Sequence, residues 1–137
     1  MEKKKKDINE VIKGLQNPDQ KTLNSKFFYD ENGSILFEKI TKLKEYYITR
    51  LEMKIFEEKK TDISKILPSN AIIIEFGSGS NTKIKKFLNI VKDPKIYIPL
   101  DISSEYMKKN CAETSKLFPN IKVSPITLDF TNINNST

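Results

Sequence analysis

The sequence predicts an α/β fold in which half of a doubly wound parallel sheet follows a helical N-terminal segment. Three short apolar runs of strand length, residues 71–74, 96–100 and 122–128, are separated by two stretches with helical apolar spacing. Strands that alternate with helices in this way form parallel sheets. Ahead of Pro68, by contrast, the apolar residues recur at helical spacing only.

Length and composition restrict the classes of protein that remain. A chain of 137 residues can bury one core but hardly two, so we expect one small domain. The lack of histidine excludes a His-based triad or a His metal site, and the single Cys111 cannot form an internal disulfide. Without a Cys/His cluster we expect no metal. Because no apolar run is long enough for a membrane span or a signal peptide, we expect a cytoplasmic protein with no membrane partner.

The formal net charge of +6 does not by itself indicate a nucleic-acid partner. Lys3 to Lys6 supply four of the positive charges, and Arg50 is the only arginine among the 24 basic residues. Nucleic-acid surfaces usually combine arginine forks with interleaved aromatic rings. We therefore interpret the lysine run as a solvated tail and expect no nucleic-acid partner.

Two amphipathic helices are predicted before residue 44. The first follows the lysine tail, ends at residues 17–19, and places four apolar side chains on one face: Ile8, Val11, Ile12 and Leu15. The second follows a turn signal at Asn32-Gly33 and has Ser34 as its predicted N-cap. Its apolar face consists of Leu36, Ile40 and Leu43.

A third helix is predicted to begin at Thr49, because Thr49 and Glu52 have the spacing of a capping box. In that motif the hydroxyl and the carboxylate each accept a backbone N–H of the first turn. A separate, shorter turn is expected over residues 63–67, closing at Pro68.

The first strand, residues 71–74, is continuous and β-branched, which is typical of a strand covered on both faces. With only three strands predicted, however, it keeps an open edge and an uncovered apolar face. A second chain that completes the sheet is therefore a possible partner. The helix after this strand has a clear apolar stripe, formed by Ile84, Phe87, Leu88 and Val91.

The second strand ends at Asp101, and Ser103 or Ser104 can cap the helix that follows. This helix is expected to run to about Leu117. Its inward side chains are predicted to be Met107, Cys111 and Leu117. Residues 122–128 then form one continuous third strand.

The polar residues at the ends of the three strands predict one common site. Glu75, Gly77 and Gly79 follow the first strand, Asp101 ends the second and Asp129 ends the third. In parallel sheets, ligands bind at the carboxyl ends of the strands. Each of these residues taken singly is more often structural. Together they favour a nucleoside pocket, in which an acid 24 residues after Gly77 accepts hydrogen bonds from a ribose diol.

The spacing of the glycines narrows the ligand further. A dinucleotide fingerprint needs glycine where Thr82 stands, and the phosphate-loop spacing is absent, so a diphosphate ligand is disfavoured. Acids at all three strand ends suit a cationic ligand that carries a diol, and S-adenosylmethionine has both properties. Glu75 ranks below Asp101 as a ligand residue, because it can equally be a structural acid at a strand end.

Six blocks of the sequence resemble the histidine-specific S-adenosylmethionine-dependent methyltransferase family. They follow the family order between residues 23 and 131, and they are residues 26–34, 36–41, 45–52, 75–83, 97–103 and 128–131. The resemblance implies a partial class I methyltransferase, or Rossmann-like, fold. It also implies methylation of the amino group of histidine or a related small-molecule amino acid, as in ergothioneine biosynthesis.

The resemblance also implies a role for individual residues, although no catalytic residue is assigned. The cofactor's methionine part would face the loop of Gly77, Ser78 and Gly79 and would contact Lys83. Its ribose would bind Asp101, and its adenine would lie against Asp129 and Phe130. Tyr29 and Tyr46 would contact the amino-acid substrate. In the absence of this resemblance, we would interpret Tyr29 as a core aromatic residue, Tyr46 as a packing residue at a helix end and Lys83 as a solvated lysine.

The resemblance divides the chain into three parts. Residues 1–22 form the lysine-rich tail and short helix, residues 23–69 a helical substrate-side segment, and residues 70–137 a truncated cofactor-binding half. Lys44 and Ile48 stand where the family usually has prolines. Further strands and substrate residues are expected beyond position 137. A non-catalytic cofactor-binding remnant is therefore the main alternative, and a fragment of an RNA methyltransferase is a weaker one.

Overall fold

The computed structural model describes the backbone of residues 2–130 and the side chains of residues 5–130. The final residue of the last family block, Thr131, and the tail after it lie outside the described residues. The helical elements are α1 (Glu2–Gln16), a 3-10 helix (Ser25–Phe28), α2 (Glu31–Ile40), α3 (Ile48–Ile66), α4 (Thr82–Leu88) and α5 (Ser104–Leu117). The strands are β1 (Ile72–Phe76), β2 (Ile96–Asp101), β3 (Lys122–Val123) and β4 (Ile126–Thr127). Over the described stretch, no helix has both the length and the apolar character needed to cross a membrane.

The first two helices begin earlier than the sequence predicts. Helix α1 starts at Glu2, so the backbone of the lysine run forms its first turns. Asp30, not Ser34, caps α2, because its carboxylate accepts the backbone N–H of Gly33 at 2.7 Å. The predicted turn at Asn32-Gly33 is therefore the first turn of α2, and Ser34 is buried within the helix.

The capping box predicted for α3 is wrong. The helix begins at Ile48, and its N-cap residue Tyr47 makes no side-chain capping hydrogen bond. The segment before the helix is instead held by the Arg50 guanidinium. This group donates to the carbonyl of Leu43, at 2.8 Å, and to the carbonyl of Lys44. The separate turn expected over residues 63–67 is also wrong, because α3 continues without a break to Ile66.

The strands form an open, all-parallel sheet in the order β1-β2-β3. The short strand β4 also pairs with β2, at Leu100 and Asp101, whereas β3 pairs with the start of β2. Ile73 lies opposite Tyr97, and Leu100 lies opposite both Phe76 of β1 and Ile126 of β4. The predicted third strand is thus two short strands. It is interrupted at Ser124-Pro125, since proline has no N–H to donate to a sheet. The predicted fold class, a partial Rossmann-like α/β fold, is confirmed.

Helices α4 and α5 cover one face of the sheet. The core contains Ile73 of β1 and Tyr97 of β2, which pack against Ile84 and Leu88 of α4. Val91, after α4, and Ile121, after α5, complete it. From α5, Met107 and Cys111 are buried against this face, as predicted. Leu117 is not, because the last turn of α5 leaves it 56% exposed.

The other face of β1 is uncovered. Ile72, Ile74 and Phe76 are each more than half exposed, although their spacing puts all three on one face. Among the described strands, only β2 pairs with β1. The prediction that β1 is covered on both faces is therefore wrong for the described residues. The predicted open edge and uncovered apolar face of β1 are confirmed.

Two leucines that end neighbouring helices provide a test of this packing. Leu88 is 3% exposed and Leu117 is 56% exposed. Leu88→Ala should lower the free energy of unfolding by about 2–5 kcal/mol, because it leaves a cavity in the core. Leu117→Ala, the matched control, should change it by no more than about 0.5 kcal/mol. Denaturant unfolding of the two variants measures both, and equal losses would show that α4 does not pack as described.

Candidate functional site

A cavity of about 580 Å³ lies at the carboxyl ends of the strands, between the sheet and the N-terminal helices. All the predicted site residues except Ser78 line it: Tyr29, Tyr46, Gly77, Gly79, Lys83, Asp101, Asp129 and Phe130. The fold therefore brings together residues that lie up to 101 positions apart in the chain. This volume lies in the range typical of small-molecule and cofactor sites.

The loop after β1 turns sharply because Gly77 adopts a left-handed conformation, with φ of 68°. The backbone N–H groups of Gly77 and Ser78 both donate to the carbonyl of Leu100 in β2, at 2.8 and 3.2 Å. A Cβ atom at Gly77 would lie 3.8 Å from the ring of Phe130. The loop is thus fixed to β2 and lies close to the residues that follow β4.

Asp101 connects this loop to the next helix. One of its carboxylate oxygens accepts the N–H of Gly79 at 3.0 Å, and the other accepts the N–H of Ser103 at 2.8 Å. The residue is 8% exposed. Each carboxylate oxygen has further lone-pair capacity, so Asp101 can accept additional hydrogen bonds from ligand hydroxyls in the cavity.

The side chain of Ser78 is on the opposite side of the loop from the cavity. It is buried in a small space bounded by Tyr97, Met107 and Cys111. Its hydroxyl has no hydrogen-bond partner among the described residues. Any contact of Ser78 with a ligand in the cavity would therefore involve its backbone.

Glu75 is a largely buried acid that faces both the cavity and the sheet. Its carboxylate accepts the hydroxyl of Tyr97. Burial raises the pKa of Glu75, while the Tyr97 hydrogen bond and the charge of Lys83 act in the opposite direction. Burial and the neighbouring carboxylate likewise raise the pKa of Tyr97, which keeps its proton on the phenol oxygen.

Lys83 joins the sheet half to the N-terminal helices. Its ammonium, in the first turn of α4, pairs with the Glu52 carboxylate of α3 at 3.3 Å. Both side chains line the cavity and both are partly exposed. Lys83 is therefore held at the cavity wall and is not a freely solvated lysine.

Phe130 and Asp129, which follow β4, form a further part of the cavity wall. The ring of Phe130 packs edge-on against Phe76, with 5.5 Å between centroids. Lys26 lies beside Asp129 at 3.9 Å and also pairs with Glu10 of α1 at 2.6 Å. The hydrogen bond to Glu10 is the main reason that the pKa of Lys26 is raised, so its ammonium is charged.

The two tyrosines predicted to contact the substrate belong to one aromatic row. The ring of Phe37 stands edge-on between Tyr29, at 6.1 Å, and Tyr46, at 5.8 Å. All three rings line the same cavity as the glycine loop. The residues predicted for the cofactor and those predicted for the substrate therefore share one cavity.

Several lining residues were not found from the sequence. Tyr106 of α5 donates to Glu38 of α2 at 2.8 Å, and both side chains line the cavity, as do Lys26 and Glu52. Tyr106 and Glu38 are 68 residues apart, and no spacing rule predicts their contact. The available signal was the position of Tyr106, in the first turn of the helix that follows Asp101.

The parallel sheet, the glycine loop and the strand-end acids define a Rossmann-like cofactor-binding domain. The family model described as "Histidine-specific methyltransferase, SAM-dependent" matches residues 7–137, and the chain belongs to this family. The resemblance seen in the sequence is thereby confirmed. Membership implies S-adenosylmethionine as the cofactor.

Individual relatives are identical to this chain at about one residue in three of the aligned positions. Histidine N-alpha-methyltransferase of Mycolicibacterium smegmatis is 32% identical over 113 residues, which cover 80% of this chain and 35% of that protein. Ergothioneine biosynthesis protein 1 of Neurospora crassa is 35% identical over 80% of this chain and 13% of its own length. N-methyltransferase dtpB of Aspergillus flavus is 29% identical over 84% of this chain and 33% of its own length. The chain thus spans well under half the length of these relatives.

The raised pKa of Glu75 predicts a specific dependence of stability on pH. Since the folded protein binds this proton more tightly than the unfolded chain, the contribution of Glu75 is most favourable at low pH. It is lost as pH rises from the unfolded pKa, about 4.3, towards the folded one. Relative to Glu75→Gln, the wild type should lose roughly 1.4 kcal/mol for each pH unit between the two pKa values.

Denaturant unfolding of both proteins at several pH values between 4 and 7 measures this difference. Glu58→Gln makes the same substitution at an exposed position of α3 and is the matched control, measured under identical conditions. A constant difference between wild type and Glu75→Gln across this range would contradict the assignment.

Proposed function

We propose that this chain binds S-adenosylmethionine in the cavity at the strand ends and contributes to methyl transfer onto the amino group of histidine or a related amino acid. The observation that carries the proposal is the buried carboxylate of Asp101, which holds the glycine loop at the cavity while keeping lone pairs for a ligand diol. Family membership supports the choice of this ligand over other nucleosides.

The residues that line the cavity fit such a cofactor in size and charge. Gly77 and Gly79 expose backbone at the cavity, and no atom lies within 4 Å of a Cβ built at Gly79, so a ligand can approach there. Asp101 places negative charge at the cavity wall, which favours a cation. The aromatic ring of Phe130, which follows β4, offers a flat surface for an adenine.

When bound, the cofactor supplies an electrophilic methyl group on a positively charged sulfur. The chain's own part is to hold an unprotonated amine in line with that group and to exclude water. Positioning of this kind needs no general base from the cavity walls. The row of Tyr29, Phe37 and Tyr46 lines the same cavity as the glycine loop and is suited to orient the acceptor.

The acceptor class follows from the relatives and from the tyrosines. Two relatives have histidine N-alpha-methyltransferase as their name, and another is a 4-dimethylallyltryptophan N-methyltransferase, so the methylated group in these names is a nitrogen of an amino acid or its derivative. The hydroxyls of Tyr29 and Tyr46 can bond the ammonium or carboxylate of such a molecule.

A second candidate is a cofactor-binding remnant that does not catalyse. The observation that favours it is the exposed apolar face of β1, formed by Ile72, Ile74 and Phe76. All-parallel sheets are normally covered on both faces. Cofactor binding without transfer to any amino acid would support this candidate.

Removing the charge of Asp101 tests the cofactor site. Asp101→Asn replaces one acceptor oxygen by a donor group, which cannot accept a ribose hydroxyl or a backbone N–H. Because hydrogen bonds to charged groups contribute about 1.5–3 kcal/mol, the affinity for S-adenosylhomocysteine should fall roughly 10- to 100-fold. Calorimetric titration of the 137-residue protein measures the affinity.

The matched control is Asp62→Asn, which changes an exposed aspartate on α3 that pairs only with Lys59 among the described contacts. It should leave the affinity within about twofold of the wild type. Equal affinities for all three proteins would refute the assignment of Asp101, and failure of the wild type to bind would refute the proposed function.

Replacing the two cavity tyrosines tests the acceptor site. In Tyr29→Phe/Tyr46→Phe the rings remain but both hydroxyls are lost, so histidine should bind the S-adenosylhomocysteine-loaded protein roughly tenfold more weakly. The affinity for S-adenosylhomocysteine itself should not change. Tyr47→Phe alters an exposed neighbour outside the cavity and serves as the control. Unchanged histidine binding in the double variant would exclude these hydroxyls as acceptor contacts.

A further inference from the structure

One face of α5 touches both the glycine loop and the N-terminal helices. Tyr106 and Asn110 are four residues apart, so they lie one above the other on this face. The Tyr106 hydroxyl donates to the Glu38 carboxylate of α2 at 2.8 Å. The Asn110 amide donates to the carbonyl of Gly79 at 2.6 Å.

Gly79 is consequently held by two different side chains. Its N–H donates to Asp101 at 3.0 Å, and its carbonyl accepts from Asn110. A loop with no side chain at this position depends on such backbone contacts for its conformation. Asn110 does not line the cavity, so its effect on a ligand there acts through Gly79.

Asn110 and Tyr106 are themselves firmly placed. The backbone carbonyl of Asn110 accepts the hydroxyl of Thr114 at 2.9 Å, and Thr114 is almost fully buried. Tyr106 is buried, and desolvation and its hydrogen bond to Glu38 raise its pKa, so the phenol keeps its proton and donates. The two side chains therefore lie on one face of α5 and connect it to the segments on either side.

We propose that Tyr106 and Asn110 are positioning residues, which fix the glycine loop and connect its conformation to α2 through Glu38. The proposal rests on the proposed function, because it makes the cofactor loop and the acceptor-side helices one hydrogen-bonded unit. Loss of the Asn110 amide leaves the Gly79 carbonyl without this donor. Loss of the Tyr106 hydroxyl disconnects α2 from the same face of α5.

The test uses variants that preserve side-chain shape. Asn110→Asp replaces the donor amide by a carboxylate that repels the Gly79 carbonyl, and Tyr106→Phe removes only the hydroxyl. The matched control is Asn89→Asp, because the Asn89 amide also donates to a backbone carbonyl, that of Lys85 at 2.8 Å, but at an exposed position outside the cavity.

Amide hydrogen exchange in the ligand-free 137-residue chain is the first measurement. Exchange of the Gly79 N–H should become at least tenfold faster in Asn110→Asp and at least threefold faster in Tyr106→Phe, with no change in Asn89→Asp. Exchange at the core residue Tyr97, in the central strand β2 and away from Asn89, should stay the same in all of them, which separates loop positioning from a general loss of stability. Unchanged Gly79 exchange, or equal acceleration at Tyr97, would overturn the proposal.

Titration with S-adenosylhomocysteine is the second measurement. Affinity should fall at least tenfold in Asn110→Asp and about threefold in Tyr106→Phe, and the double variant should be no weaker than Asn110→Asp alone, because both act through one network. Additive losses would contradict the connection. Failure of the wild type to bind would refute the proposed function, while the exchange data would still decide whether the two residues hold the loop.

Discussion

The candidate site depends on one interaction, the acceptance of two backbone N–H groups by the carboxylate of Asp101. Gly79 belongs to the loop after β1 and Ser103 to the start of α5, so one side chain at the end of β2 fixes both connections. The same loop also donates twice to the carbonyl of Leu100. These contacts make the floor of the cavity a rigid corner of the sheet, on which the remaining walls are assembled.

The walls opposite this floor come from the N-terminal helices, and polar bridges join the two parts. Lys83 pairs with Glu52, Tyr106 donates to Glu38, and Lys26 lies between α1 and Asp129. Exposed ion pairs contribute little stability individually, so the more buried Tyr106 contact carries more weight than the Lys83 pair. Neither the helices nor the half sheet encloses the cavity alone, which explains why residues predicted for cofactor and for acceptor share one space.

Much of the sheet and its strand ends could be predicted, because carboxyl ends of parallel strands meet at one edge whatever the details of packing. This rule placed Gly77, Asp101 and Asp129 together. Local rules failed where another contact dominated: Asp30 caps α2 in place of Ser34, Arg50 replaces the capping box, and Pro125 divides the third strand. The Tyr106–Glu38 contact could not be predicted from the sequence. The two residues are 68 positions apart, and their contact depends on how α2 and α5 pack.

We propose that the corner formed by the glycine loop and Asp101 is the cofactor site. Two-dimensional NMR of the ¹⁵N-labelled chain during titration with S-adenosylhomocysteine tests this assignment residue by residue. The largest saturable shifts should occur at the backbone amides of Gly77, Gly79 and Ser103, which surround Asp101. Saturable shifts confined to α1 and the exposed side of α3, or no shifts at all from a folded protein, would contradict it.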